Sequence, residues 1–296
     1  MQYLGLSILS SSLIFVIFKL YTKYRIQTLY AIITNYIIAC GAGLFFYNGT
    51  VNLSEIPTKP WFLSTIALGI LFIVVFNLMA ATSQKMGVSV ASIATKMSLV
   101  VPVLFGIIMF DEHLSFLQTS GIILALFAVY LATTKEKNTI TNKHSLLLPL
   151  LVFLGSGAID TCIKFAQETY IKEKEFPLFS AIVFGSAACT GILFIIFKTL
   201  KNPIKINIKN ILGGICLGIP NYFSIYFLMK ALDSNTLNSA SIFTLNNVAI
   251  VMLSTLLGII LFQEKISPKN WIGIALSVTS IILVAFGNKI QTFLFS

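Results

Sequence analysis

Charged side chains make up 10% of this 296-residue chain, where a soluble domain carries about 25%. That shortage excludes a water-solvated globular domain of ordinary composition. Histidine is nearly missing: His113 and His144 are the two present, and both fall in connections between apolar runs. The sequence has no HExxH, no GxSxG elbow, no P-loop and no paired-carboxylate motif on a helix, so the usual signatures of an intramembrane enzyme or a nucleotide-driven pump are absent. No catalytic group, cofactor or metal site is expected. Rings of like charge and filter-like loops, which would suggest a channel, are not visible either.

Cysteine is also sparse. Cys40, Cys162, Cys189 and Cys216 lie inside apolar runs without metal-ligand spacing, and read as thiols that pack as small hydrophobes. Basic residues outnumber acidic ones by 20 to 10, yet they are scattered singly, which argues against nucleic acid as a partner. The first residues, MQYLGLSILS, lack the basic n-region of a secretory signal, so the first apolar run is expected to remain as a helix.

What the chain has in abundance is apolar length, with 57% hydrophobic residues. Runs long enough for a hydrocarbon core, which takes about 20 residues, are expected near 2–21, 28–47, 61–83, 88–110, 115–133, 146–166, 177–198, 210–231, 239–262 and 269–288. The runs are continuously apolar, without the alternation of a membrane β-barrel. Helices are the remaining way to satisfy the backbone in lipid. The expected fold is therefore an all-α integral membrane protein of ten transmembrane helices.

The chain also repeats itself. At an offset of 152, Gly106 aligns with Gly258, Phe110 with Phe262, Glu112 with Glu264, Ser115 with Ser267 and Gly121 with Gly273. At an offset of 145, Ser11, Ile14 and Lys19 match Ser156, Ile159 and Lys164. Two five-helix repeats are expected, residues 1–135 and 145–296, joined by a loop at 136–144. An odd number of spans sends the second copy into the membrane from the opposite side, and inverted repeats are a recurring architecture of carriers. A duplication that merely enlarged a structural protein is the alternative.

The segments LFGIIMFDEHLSFLQTSGIILALFAVYLA and LLGIILFQEKISPKNWIGIALSVTSIILVAFG resemble the two copies of the EamA module of the drug/metabolite transporter superfamily. That module ends its fourth helix with a Glu and places a Gly nine residues later, as Glu112 with Gly121 and Glu264 with Gly273 do. Its Lys closing the first helix is matched by Lys19 and Lys164. The resemblance implies a transporter of amino acids, drugs, nucleosides or other metabolites, with both termini in the cytoplasm. Two departures stand out. Ser11 and Ser12, with Ser156 and Gly157 in the second copy, replace the family's Trp-Gly pair, and Asp111 and Gln263 replace the usual Gly before the Glu.

Ionisable groups inside spans cost about 2.5 to 3.5 kcal/mol at a helix centre, so each needs a reason. Lys96 lies a third of the way along the fourth span, with no carboxylate in reach on its own helix. Asp160 and Lys164 lie one turn apart in the sixth, and read either as a neutralised structural pair or as part of a site. Lys19, near a span end, is expected to be solvated. Asn77, Asn221, Asn246 and Asn247 are amides that either glue helices or bind solute. Asn246 and Asn247 fall in the repeat counterpart of the span that carries Lys96. Tyr222 and Tyr226 follow Asn221 at helical spacing, as packing residues or cavity lining. Pro102 and Pro220 are expected to interrupt the fourth and eighth spans and free backbone carbonyls.

These residues point to a secondary carrier, an exporter by the resemblance, with an amino-acid-like solute favoured. A multidrug, nucleoside or organic-cation carrier of the same fold is the alternative. The partners implied are a small-molecule substrate and the lipid bilayer, taken as a bacterial cytoplasmic membrane. Proton coupling through Asp160 and a homodimer stay open. By the positive-inside rule, 13 of the Lys and Arg fall on one face against five on the other, Lys59, Lys172, Lys174, Lys230 and Lys289. That count favours both termini outside the cytoplasm, against the resemblance.

Overall fold

The computed structural model describes residues 2–47, 54–110, 116–133, 146–171, 175–199, 207–232 and 239–295. Eleven α-helices account for nearly all of them: α1 (Gln2–Tyr24), α2 (Thr28–Phe45), α3 (Phe62–Met86), α4 (Val88–Met97), α5 (Val100–Phe110), α6 (Phe116–Thr133), α7 (Leu147–Thr169), α8 (Phe176–Thr199), α9 (Ile208–Leu232), α10 (Ser239–Phe262) and α11 (Pro268–Phe295). A 3-10 turn at Ile56–Thr58 precedes α3. Among the described residues there is no strand.

Burial runs opposite to a soluble protein. Large apolar side chains such as Leu63, Ile108, Phe197 and Ile260 are exposed, while Ser7, Asn35, Thr65, Ser92 and Asn246 are buried. An apolar exterior of this extent needs an apolar solvent. Six helices among the described residues are long and apolar enough to cross a membrane, within α1, α2, α3, α8, α9 and α10.

Where a helix must stop in a short connection, the backbone turns sharply. Arg25 takes φ 55 after α1, and the Ile26 N–H returns to the Tyr21 carbonyl at 2.9 Å. Gly87 takes φ 116 and alone joins α3 to α4. The apolar run at 88–110 is two helices, parted at Ser98 and Leu99.

Helix pairing shows two similar halves. α6 and α11 run antiparallel, since the Ser280 hydroxyl donates to the Gly121 carbonyl (2.8 Å) and the Asn270 amide to the Leu131 carbonyl (3.0 Å). α2 and α8 are antiparallel as well, with Gly43 against Ala181, Gly185 against Cys40 and Gly191 against Ile33. α2 and α9 run the same way, Gly214 seating on Thr34 and Gly218 on Ile38, a close approach that small residues four apart permit. Exchanging each helix for its counterpart five spans on turns the α2–α9 contact into α8–α3, which is also present and parallel: Trp61 meets Phe179, and Gly69 meets Ala187. This is a two-repeat architecture.

Candidate functional site

The break between α4 and α5 organises the site. Pro102 has no N–H to return to Ser98, four residues back, so the α-helical ladder loses a bond there. The chain tightens instead, with the Val101 N–H on the Ser98 carbonyl at 2.9 Å. Pro102 itself sits in the first turn of α5, where a missing donor costs little.

Lys96 occupies the last turn of α4, where a cation complements the helix dipole. It is half-buried and makes no hydrogen bond or ion pair with a described residue. It lines a small cleft with Leu99, Val100, Ala125 and Ser280. Asp160, on α7, stands across the break. Ser98 donates its hydroxyl to the Asp160 carboxylate at 3.3 Å, and Gly157, one turn earlier on α7, leaves the room that Val101 fills. Asp160 is exposed, and lies within electrostatic reach of Lys96. The two do not close into an ion pair, the one such pair among the described residues being Lys59–Glu175. The Ser156 hydroxyl, one turn before Asp160, is buried without a partner among the described residues. A cation and a carboxylate from the two halves thus lie near each other without pairing with one another.

The other expected residues divide. The Lys164 side chain lies outside the described residues, as do Asp111 and Glu112. The half-buried Asn77 bonds back to its own helix at the Ile73 carbonyl, 2.8 Å away. Asn221 donates to Asn35 at 3.0 Å, joining α9 to α2. Asn246 accepts the Ser7 hydroxyl at 3.2 Å, joining α10 to α1. These bonds tie the helices together. Asn247 is half-buried and makes no hydrogen bond with a described residue. One turn on, Val251 shares an apolar cluster with Ile93 and Met97, which puts Asn247 level with the break.

Tyr222 stacks between Phe46 (5.7 Å) and Tyr226 (5.9 Å), as part of an aromatic cluster. Pro220 does not interrupt its span, contrary to expectation: α9 runs unbroken from Ile208 to Leu232 around it. Its neighbours Gly214 and Gly218 hold α9 against α2, and that packing keeps the helix together where one backbone bond is missing. Lys19 is not simply solvated; its ammonium donates to the Gln84 carbonyl at 3.0 Å, in the last turns of α3.

Sequence reading passed over Ser98, although its place four residues before Pro102 marks it as the residue losing a bond. It treated Glu264 only as a repeat marker, whereas the carboxylate caps α4: it accepts the Val88 N–H at 2.7 Å and the Ser89 hydroxyl at 3.1 Å.

The model of the EamA-like transporter family matches residues 2–134 and again 144–286. The chain belongs to the EamA-like transporter family. Both copies of the family module are present, one in each half, and membership makes this a multi-pass membrane protein of a transporter family. An uncharacterized protein of Haemophilus influenzae is 30% identical over 299 residues, spanning 98% of this chain and 99% of its own. A protein of known crystal structure superposes with a TM-score of 0.57 over 98% of this chain and 99% of its own, at 14% identity, so the EamA fold is shared with it.

Proposed function

We propose that this EamA-family protein is a secondary carrier that moves a small zwitterionic, amino-acid-like metabolite across a bacterial cytoplasmic membrane by alternating access. The observation that carries this reading is the Lys96–Asp160 arrangement: opposite charges from the two repeats, near each other but not closed into an ion pair with one another, at a helix break. Ionisable groups inside a bundle are costly unless they find partners. A solute bringing a carboxylate to Lys96 and an amine to Asp160 would set an opposite charge against each. Asn247 would orient it by hydrogen bonding, and Ser156 would supply a further hydroxyl.

The reading takes ten crossings, with α4 and α5 forming one of them, as two inverted repeats over 1–135 and 145–296. The antiparallel α6–α11 and α2–α8 pairs support it, because a two-fold axis in the membrane plane reverses helix direction. Export is the direction implied, with energy from an ion gradient or exchange, protonation of Asp160 being one route.

Counterflow in proteoliposomes tests the function. Vesicles loaded with an unlabelled amino acid should accumulate the labelled form transiently, and a panel including nucleosides and organic cations should score lower. Accumulation of organic cations alone would move the substrate class; uptake that neither saturates nor responds to solute inside would remove the carrier.

A further inference from the structure

α4 is a ten-residue helix with a discontinuity at each end: Gly87 at φ 116 before it, and Ser98 and Leu99 after it. No side chain of its own segment caps its N-terminus. The cap comes from the other repeat. The Glu264 carboxylate accepts the Val88 N–H (2.7 Å), the Ser89 N–H (3.4 Å) and the Ser89 hydroxyl (3.1 Å). An ionised acceptor on free N–H groups at the positive end of a helix makes a bond roughly twice as strong as a neutral one.

The surroundings are shaped for that carboxylate. A Cβ on Gly87 would lie 2.8 Å from both Glu264 oxygens, and a Cβ on Gly258 would lie 2.6 Å from Oε2. The Glu264 N–H is tied to the Gly258 carbonyl at 3.2 Å, and Gln263 before it is held at φ 52. A strained turn and two glycines, one from each repeat, deliver one side chain to one helix end. That helix carries Lys96 two turns further on and has non-helical backbone at both ends, so it is a rigid lever between two hinge points.

We propose that Glu264 is a latch between the repeats: bound to the N-terminus of α4, it positions Lys96 and closes the site toward this face. Release lets α4 pivot at Gly87 and at Ser98 and Leu99, exposing Lys96 to that face. This rests on the carrier reading, in which both faces must open in turn.

The test reads accessibility rather than transport. In a background with the four cysteines replaced by serine, Thr95→Cys reports the last turn of α4, labelled by a membrane-impermeant thiol reagent applied to one face of sealed vesicles at a time. Glu264→Gln should raise labelling from the Glu264 face by roughly tenfold, within the range of ordinary conformational coupling, with little change from the opposite face. Gly258→Ala, which displaces the carboxylate while leaving Glu264 in place, should do the same and decides the matter if Glu264→Gln does not fold. Glu264→Asp, which keeps the charge, should lie between. Unchanged labelling in Gly258→Ala, or an equal rise from both faces, overturns the latch. Labelling needs no substrate, so a failed counterflow assay would sink the carrier reading and leave this result to stand or fall alone.

Discussion

Asn221 on α9 donates its side-chain amide to the side-chain oxygen of Asn35 on α2 at 3.0 Å, with both residues buried. The bond crosses between the repeats at the level where Gly218 seats against Ile38 and the Asn35 carbonyl. Replacing one partner strands the other without water, at a cost of about 1 to 3 kcal/mol, whereas replacing both with apolar residues is close to neutral. Asn221→Leu should therefore lower the unfolding temperature in detergent, and Asn35→Leu with Asn221→Leu should restore part of it. A double variant worse than the sum of the singles would contradict a simple bridge.

Gln263 holds the left-handed conformation, φ 52, which glycine adopts without steric cost. An L side chain there costs about 1 to 2 kcal/mol, and glycine's own entropy returns part of that. Gln263→Gly should stabilise the protein by about 1 kcal/mol, read as a raised midpoint in thermal unfolding.

Glycines at different places should respond oppositely. A Cβ at Gly69 would stand 2.8 Å from the Ala187 nitrogen and the Ser186 carbonyl carbon, backbone atoms of α8 that have little room to move. Gly69→Val should destabilise by about 1 to 3 kcal/mol through overpacking. At Gly41 nothing lies within 4 Å, so Gly41→Ala should gain about 0.5 to 1 kcal/mol of helix stability. The comparison by thermal unfolding fails if both variants shift the same way.

Lys59 bonds Glu175 at 2.6 Å beyond the ends of the spans, and that hydrogen bond and the charge beside it hold the ammonium above its ordinary value near 10.5. A raised pKa in the folded state means the pair's contribution is complete below about pH 10.5 and fades as pH rises through the folded value. The pair is part-exposed, so the effect is small. Lys59→Met should remove the small loss of thermal stability seen as pH rises above about 10.5, and should lower stability at pH 7 by the same small amount.

The helices were legible because continuous apolar runs in lipid leave the backbone few alternatives, and the repeat was legible because polar and glycine identities at a fixed offset survive an otherwise uniform composition. The fate of single polar residues was less so. Asn77 turns back on its own helix, Asn221 and Asn246 find partners in α2 and α1, and Asn247 finds none among the described residues; all four look alike in sequence, since the partner lies 4, 186 or 239 positions away or not at all. Pro102 and Pro220 look alike too. One follows a real break while the other is held in a continuous helix by glycines packed on α2, a tertiary effect that no local rule carries.

The central claim is that Lys96 and Asp160 together hold the solute, and counterflow by Lys96→Ala and Asp160→Asn, reconstituted beside the unchanged protein, tests it most directly. The account predicts that each variant folds, eluting as a single species with nearly the same unfolding temperature, and that each loses amino-acid counterflow to the level of empty vesicles. Normal counterflow in both, or failure of both to fold, would make the two charges structural and contradict the assignment.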